Sequence, residues 1–291
     1  MNELKLRYPV SEKAKAHTFI DSATYDAMYK QSIEQPDVFW GEQAKEFIDW
    51  YQPWDTVSKV DMKNSEISWF TGGKLNVSYN CIDRHLATKA DKTAIIFEGD
   101  NPNDDLKVTY QELHDNVCRL ANLLKERGVK KGDRVCLYMP MIPEITYAML
   151  ACARIGAIHS VIFGGFSTES IKARVLDAEC EVIITADESL RGGKSIPLKA
   201  NVDSAVVDCP LVHSVIVVER TGGDVPYNDK LDIKYAAAVA NQPTVCEPEV
   251  MDSEDPLFIL YTSGSTGTPK GVVHTCGGYI LYAAMTHKYV F

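Results

Sequence analysis

The sequence predicts an α/β fold with a mostly parallel β-sheet, preceded by a helical extension. From Ser78 onward, short apolar runs alternate with longer amphipathic segments, which is the pattern of βαβ units around a parallel sheet. The first 75 residues lack this alternation, and their large apolar side chains recur at helical spacing instead. We therefore expect an N-terminal helical extension at residues 1–75 and a first α/β subdomain at residues 76–291.

The helical extension is predicted from large side chains on both sides of Pro36. These are Tyr25, Met28, Tyr29, Ile33, Phe39, Trp40 and Phe47. Their near-helical spacing predicts helices at the periphery of the fold.

The α/β part contains six β-branched or aromatic runs bounded by polar residues or glycine, and each predicts a strand. They are TAIIFEG (93–99), RVCLYMP (134–140), IHSVIF (158–163), EVIITAD (181–187), HSVIVVE (213–219) and LFILYTS (257–263). The clearest helix runs from a Thr109 cap, with Glu112 three residues later, to a stop at Gly128. Shorter crossover segments are predicted at 204–214 and 234–243.

Composition argues against several classes of protein. Thirty basic and forty acidic residues give a net charge of −10, which disfavours binding to nucleic acid or anionic membranes through the overall field. The opening stretch MNELKLRYPVSEKAKAH has no continuous apolar run, so secretion is not predicted. Arg154 and His159 interrupt the most apolar stretch, so membrane spanning is not predicted either. The eight cysteines form no CxxC pair and lie mostly in apolar patterns, which predicts a reduced, cytoplasmic protein. No cluster of metal ligands is visible.

A polar loop follows the last predicted strand, in the stretch YTSGSTGTPKG (261–271). A Gly/Ser/Thr loop between a strand and a helix can hold phosphate, because backbone N–H groups and hydroxyls converge on the anion. The candidate phosphate-binding residues are Thr262, Ser263, Gly264, Ser265, Thr266, Gly267 and Lys270. The loop is not a Walker motif, since Lys270 is followed by Gly271 rather than by a hydroxyl residue. The alternative is a flexible polar connector.

Two further glycine pairs follow predicted strands. Arg191 and Lys194 flank Gly192 and Gly193, an arrangement that suits the gripping of a phosphate by a guanidinium and an ammonium group. The alternative is an ordinary solvated basic turn. In FGGF (163–166), Gly164 and Gly165 would let a flat adenine or a pantetheine arm lie close to the backbone. The alternative there is a tight turn from strand to helix.

The stretch YTSGSTGTPKGVVH resembles the phosphate-binding signature of the adenylate-forming superfamily, which includes acyl-CoA synthetases, luciferases and peptide-synthetase adenylation domains. Residues 69–86, 139–167 and 190–203 are similar to the AMP-forming acetyl-CoA synthetases of that superfamily. With the helical extension, the similarity covers essentially the whole chain. It implies the N-terminal part of the adenylate-forming synthetase fold.

The resemblance implies a two-step ligase reaction. Acetate and ATP give acetyl-adenylate and pyrophosphate, and the thiol of coenzyme A then displaces AMP. The resemblance assigns the loop and Lys270 to the phosphates of ATP, with Mg²⁺ arriving on ATP. It assigns the turn around Arg191 to the nucleotide end of coenzyme A and the FGGF turn to a wall of the same pocket. Lys194 stands where some family members have arginine, so it keeps the charge but lacks the bidentate fork.

No residue is assigned a catalytic role, because an ionised carboxylate needs no general base. His159 and His274 are therefore interpreted as residues that either pack in the fold or support the side chains that contact ligand. The family pattern continues with an adenine segment, a magnesium-binding acid, a ribose-binding aspartate and a C-terminal domain with the adenylation lysine, none of which is present. We expect the 291 residues to be the N-terminal portion of a longer synthetase, inactive alone. The alternatives are a synthetase for propionate or another acid, and a non-catalytic module that binds nucleotide or coenzyme A.

Overall fold

The computed structural model describes residues 9–101, 103–262 and 269–291. Its helices are α1 (Glu12–His17), α2 (Ser22–Glu34), α3 (Pro36–Phe47), α4 (Val77–Cys81), α5 (Asp83–Lys89), α6 (Tyr110–Glu126), α7 (Pro143–Ile155), α8 (Thr168–Asp177), α9 (Leu198–Val206), α10 (Tyr235–Ala240) and α11 (Cys276–Val290). Its strands are β1 (Thr56–Asp61), β2 (Glu66–Thr71), β3 (Lys74–Leu75), β4 (Thr93–Glu98), β5 (Asp105–Thr109), β6 (Arg134–Met139), β7 (Ile158–Phe163), β8 (Val182–Ala186), β9 (Ser189–Arg191), β10 (Lys194–Ile196), β11 (Ser214–Val218), β12 (Asp232–Lys234), β13 (Met251–Asp252), β14 (Pro256–Thr262) and β15 (Lys270–Thr275).

A seven-stranded sheet forms the centre of the fold, in the order β12-β11-β8-β6-β7-β14-β15. All neighbouring strands in it are parallel except β14 and β15. Residues of β8 and β11 are buried throughout, as expected for parallel strands covered on both faces. The predicted α/β fold with a mostly parallel sheet is confirmed.

The helices cover the sheet in two groups. Helix α6 packs against α7 and α10, and α8 packs against α9. The chain moves from β6 to its neighbour β7 and then back across β6 to β8, so right-handed crossovers place α7 and α8 on opposite faces. Helix α6 has the predicted capping box, in which the Thr109 hydroxyl accepts from the Glu112 amide and the Glu112 carboxylate accepts from the Thr109 amide.

The N-terminal extension is only partly helical. After α1 to α3 the chain forms an antiparallel hairpin from β1 and β2, so the prediction of a helical segment reaching residue 75 was wrong. The Asp61 carboxylate accepts from the backbone amides of Lys63 and Asn64 and thereby fixes the turn between the two strands. The predicted strand TAIIFEG forms β4, but it does not belong to the central sheet. It pairs with β5 in a separate two-stranded sheet.

Two hydrophobic cores hold the molecule together. The larger core surrounds the central sheet, and the second joins the extension to β14 and α11. In the second core lie Ala44, Ile48, Phe70, Leu75, Met251, Leu257, Phe258, Ile280 and Leu281. Helices α1 and α2 are peripheral, since none of their residues is buried, whereas α3 and β2 contribute to this core.

Candidate functional site

The main pocket lies at the carboxyl edge of the central sheet. It has a volume of about 640 Å³, within the range of small-molecule sites. Segments that follow three neighbouring parallel strands line it, together with the end of β14: residues 139–142 after β6, 163–166 after β7, 189–191 after β8, and 260–261. Since the chain leaves β6 and β7 toward opposite faces, this is the crevice in which open α/β sheets usually bind ligands.

The FGGF segment forms a tight turn on the pocket wall. The amide of Phe166 donates to the carbonyl of Phe163 at 3.0 Å, and α8 begins two residues later. A Cβ on Gly165 would lie 2.6 Å from the ring of Phe163, so a side chain there would displace that ring. The ring of Phe163 is 53% exposed and lines the pocket. The segment is therefore both a strand-to-helix turn and an open aromatic surface.

A buried hydroxyl holds this turn in place. The hydroxyl of Tyr138, at the end of β6, lies 2.9 Å from the carbonyl oxygen of Phe166 and 3.2 Å from that of Gly164. The amide of Asn201 on α9 donates to the same hydroxyl at 3.2 Å. Helix α9 begins shortly after the Arg191–Lys194 segment. The hydroxyl of Tyr138 therefore connects the FGGF turn to the helix that follows this segment.

The segment from Arg191 to Lys194 is a two-residue β-hairpin. Arg191 and Lys194 are cross-strand partners, and Gly192 and Gly193 have φ angles of 57° and 74°. A tight turn of this kind needs positive φ at both central residues, which glycine adopts without strain. The guanidinium of Arg191 lies 5.3 Å from the ring centroid of Phe163, so the hairpin meets the FGGF turn at the pocket.

Both cations of the hairpin are available to an anionic ligand. Among the described residues, neither Arg191 nor Lys194 has a carboxylate within ion-pair distance. Both are exposed. The structure therefore brings two predicted segments to one pocket.

The predicted phosphate loop is described only at its ends. Ser263, Gly264, Ser265, Thr266 and Gly267 lie outside the described residues. Thr262 and Lys270 are exposed and are partners across the β14–β15 pair, so they stand together at the base of the loop.

The prediction that the loop leads directly into a helix was wrong. The strand β15, which contains Val272 and Val273, runs back along β14 before α11 begins at Cys276. The strand β15 therefore separates the N-terminus of α11 from the loop. Packing explains why residue 271 is a glycine, because a Cβ there would lie 3.1 Å from Cγ2 of Ile259.

The two histidines are packing residues, as predicted. His159 is buried and stacks on Phe258 with ring centroids 5.4 Å apart. Burial lowers the pKa of His159 to about 4, so the ring is neutral near pH 7. His274 stacks on Phe258 as well, at 4.5 Å.

Sequence reasoning missed two charged groups near the pocket. Arg220 follows β11, pairs with Asp104 and lies 5.6 Å from the ring of Phe97 on the pocket wall. Asp187 follows β8, is buried, and accepts from the backbone amides of Arg220 and Gly222 at 2.9 Å. It thereby ties the loop after β11 to the end of β8. Asp187 is the last residue of one predicted strand and Arg220 directly follows another. A polar residue at the carboxyl end of a predicted strand was the signal that could have identified both.

Arg174 was also missed. It lies on α8, where it is 8% exposed, and its guanidinium is 4.8 Å from the ring centroid of Phe166. No sequence signal marked it, because an arginine in an amphipathic helix usually faces solvent.

A parallel sheet with this pocket at its carboxyl edge is typical of enzymes that bind nucleotide-like ligands. The chain belongs to the AMP-binding enzyme family, whose model matches residues 82–291. A second model, for the acetyl-coenzyme A synthetase N-terminus, matches residues 25–81.

The chain is similar to several curated proteins. It is 63% identical over 284 residues to an acetyl-coenzyme A synthetase from Saccharophagus degradans, covering 98% of this chain and 44% of that protein. It is 60% identical to acetyl-coenzyme A synthetase 2 from Pseudomonas aeruginosa, with the same coverage. Among solved structures, acetoacetyl-CoA synthetase from Streptomyces lividans superposes with a TM-score of 0.83 at 28% identity, covering 90% of this chain and 40% of that one. The chain thus spans less than half the length of these relatives.

Proposed function

We propose that the chain is the nucleotide- and coenzyme A-binding part of an acetate–CoA ligase. The observation that carries the proposal is the meeting of the Arg191 hairpin and the FGGF turn at one pocket beside the strand that enters the phosphate loop. Membership of the AMP-binding family and the similarity to acetyl-coenzyme A synthetases support it. The products are acetyl-CoA, AMP and pyrophosphate.

The residues of this chain would bind and orient the substrates. In the first step a carboxylate oxygen of acetate attacks the α-phosphorus of ATP, and pyrophosphate leaves. Lys270 and the loop hydroxyls would stabilise charge on the departing phosphates. In the second step the sulfur of coenzyme A attacks the acyl carbon and AMP leaves. Arg191 and Lys194 would hold the distal phosphate of coenzyme A while its pantetheine arm lies along the FGGF turn. Mg²⁺ would arrive with ATP as its counter-ion.

The binding part of the proposal is tested with coenzyme A and dephospho-coenzyme A. We expect calorimetry to show that the chain binds coenzyme A more tightly, and that Arg191→Ala weakens this binding by about tenfold, the loss of one charge-assisted hydrogen bond. Dephospho-coenzyme A should lose much less affinity in the same variant. Equal losses with both ligands would remove the phosphate-grip assignment.

The ligase part is tested in a chimera that joins residues 1–291 to the remainder of the Saccharophagus degradans relative. We expect acetate-dependent exchange of pyrophosphate into ATP, and formation of acetyl-CoA. Lys270→Ala in the chimera should slow exchange by about 10²-fold, while acetyl transfer from supplied acetyl-adenylate changes less. A folded chimera that binds coenzyme A without any exchange would favour a non-catalytic binding module.

The proposed acid substrate is acetate. A synthetase for propionate or another short acid is the second candidate, and the superposition on an acetoacetyl-CoA synthetase favours keeping it. Exchange assays with acetate, propionate and acetoacetate separate these acids by their kcat/KM.

The proposed location is the cytoplasm. All eight cysteines of the chain are unpaired, which supports a reducing compartment. The helices that the structure describes include none long and apolar enough to cross a membrane.

A further inference from the structure

Arg174 presents a buried cation to the main pocket. It lies on α8 and lines the pocket, although it is only 8% exposed. Its Nη1 group donates to the carbonyl of Ser170 at 2.8 Å on the same helix, and this is its one hydrogen bond to a described residue. The Nε and Nη2 groups are therefore available to a ligand in the pocket.

The charge of Arg174 is not neutralised within the described parts of the chain, because no carboxylate there lies within ion-pair distance of it. Asp177, three residues further along the helix, accepts a hydrogen bond of 2.6 Å from Tyr261 instead. The guanidinium carbon lies 4.8 Å from the ring centroid of Phe166 and 5.4 Å from that of Tyr261. Such ring contacts compensate only in part for the burial of a charge. This environment indicates that Arg174 meets an anionic ligand.

Three arginines line the main pocket, and they differ in how their charge is compensated. Arg220 has a carboxylate partner, whereas Arg174 and Arg191 have none among the described residues. The guanidinium of Arg191 lies 5.3 Å from the ring centroid of Phe163, and that of Arg174 lies 4.8 Å from the ring centroid of Phe166. In the described part of the pocket, one uncompensated guanidinium therefore lies at each end of the FGGF turn.

The separation of these two guanidinium groups suits the nucleotide end of coenzyme A. The ring centroids of Phe163 and Phe166 are 5.8 Å apart, and both rings line the pocket. In coenzyme A one ribose carries a phosphate at its 3′ position and a diphosphate at its 5′ position, so the two anionic groups lie a single sugar apart. Arginine can hold phosphate oxygens through two parallel hydrogen bonds. A ligand whose 3′-phosphate meets Arg191 therefore brings its diphosphate toward Arg174.

We propose that Arg174 binds the 5′-diphosphate of coenzyme A, as the counterpart of Arg191 at the 3′-phosphate. The inference rests on the proposed function, which places coenzyme A in this pocket. The diphosphate supplies the counter-charge that Arg174 lacks among the described residues. The pantetheine arm then starts beside the glycines of the turn. Arg174 thus fixes the start of the arm, whereas Arg191 distinguishes coenzyme A from its dephospho form.

The test separates the two phosphate positions with truncated ligands. Dephospho-coenzyme A keeps only the diphosphate, and adenosine 3′-phosphate keeps only the 3′-phosphate. Both are titrated calorimetrically against the 291-residue chain, beside coenzyme A. We expect Arg174→Met to weaken the binding of coenzyme A and of dephospho-coenzyme A by about tenfold each, the loss of one charge-assisted hydrogen bond. Its affinity for adenosine 3′-phosphate should not change. Arg191→Ala should give the opposite pattern with the two truncated ligands.

Two variants serve as controls for the charge. Arg174→Lys keeps a point charge beside both rings and should lose less affinity than Arg174→Met. Lys172→Met removes a cation from the same helix that pairs with Asp208 at the surface. It should bind all three ligands as wild type does.

The outcomes separate the inference from the proposed function. Equal losses of Arg174→Met with all three ligands, or unchanged binding of dephospho-coenzyme A, would mean that Arg174 does not contact the diphosphate. The proposed function would then still stand on the pattern of Arg191→Ala. If wild type binds no coenzyme A, both fail.

A second substitution decides the matter if Arg174→Met does not fold, as judged by circular dichroism. Arg174→Gln removes the charge, but its amide can still donate to the carbonyl of Ser170. It should show the same ligand pattern as expected for Arg174→Met. If Arg174→Gln is unfolded as well, the residue is structural and the inference is wrong.

Discussion

At the scale of single residues, Lys194 offers a direct test of the proposed phosphate grip. It opposes Arg191 across the hairpin and offers a point charge where a guanidinium would offer a planar fork. We expect Lys194→Arg to strengthen coenzyme A binding by about fivefold, since a bidentate contact to phosphate adds about 1 kcal/mol. Calorimetric titration measures the change.

Dephospho-coenzyme A is the control ligand for Lys194→Arg, and its affinity should stay constant. Lys92→Arg is the matched control variant, because Lys92 is exposed and lies outside the β9–β10 hairpin. An equal gain with both ligands would mean that Lys194 does not face the distal phosphate.

Single residues also show how much of the site the sequence could predict. Arg191, Gly164 and Gly165, which line the pocket, are predicted as site residues because each follows an apolar strand and breaks its pattern. Tyr138 could not be found this way, because it reads as one more aromatic residue in the run RVCLYMP. Its role depends on two carbonyl oxygens 26 and 28 positions away in the chain, and only the folded backbone brings them to its hydroxyl.

At the scale of elements, the hairpin β9–β10 depends on its two glycines. Nothing lies within 4 Å of a Cβ built on Gly192 or Gly193, so their requirement is conformational rather than steric. We expect Gly192→Ala to cost about 1 kcal/mol locally, because alanine disfavours positive φ. Coenzyme A affinity should fall about fivefold, measured by calorimetry, while the thermal midpoint changes little.

Asparagine provides the control for this hairpin, since it adopts positive φ more readily than alanine does. Gly192→Asn should keep near-wild-type affinity. If the alanine and asparagine variants bind equally well, the hairpin geometry is not needed for the grip.

The elements show where periodicity predicts structure and where it does not. Helix α6 was predicted within two residues at either end, because its cap, apolar face and glycine stop agree with one another. The β1–β2 and β14–β15 hairpins were missed. Strand β15 has an exposed or half-buried pattern without alternation, so its pairing with β14 comes from tertiary context rather than from local sequence.

At the scale of the whole molecule, a buried charge cluster joins the start of the family domain to the helices of the main core. Asp83 on α5 accepts two hydrogen bonds of 2.8 Å from the guanidinium of Arg154 on α7, and Nε2 of His114 on α6 lies 3.6 Å from the same carboxylate. The neighbouring Asp83 carboxylate raises the pKa of His114 to about 10. Burial opposes ionisation of Asp83, but Arg154 and His114 outweigh it and lower the pKa of this carboxyl.

These two pKa shifts predict a window of greatest stability. His114 contributes fully below its unfolded pKa of about 6.5, and its contribution is lost as pH rises through about 10. Asp83 contributes above its unfolded pKa of about 3.9, and its contribution is lost as pH falls further. We expect the free energy of unfolding in urea to be highest between about pH 4 and 6.5, and His114→Gln to flatten the alkaline side by about 2 kcal/mol. His17→Gln on α1 is the exposed control; an identical alkaline slope in both variants would contradict the assignment.

The sheet of the described residues has β15 at one edge, and this edge predicts how the chain behaves in solution. Val273 on β15 is 53% exposed, and on the adjoining helix α11 Tyr282 is 60% and Val290 71% exposed. An unpaired strand edge beside exposed apolar side chains favours pairing with another chain. We expect self-association that increases between micromolar and higher concentrations, measured by light scattering after gel filtration.

Val273→Lys should shift the chain toward monomer, because a lysine on an edge strand opposes strand pairing. Val60→Lys, at an equally exposed valine on the separate β1–β2 hairpin, should leave association unchanged. Equal effects of the two lysines would show that general charge, rather than the β15 edge, controls association.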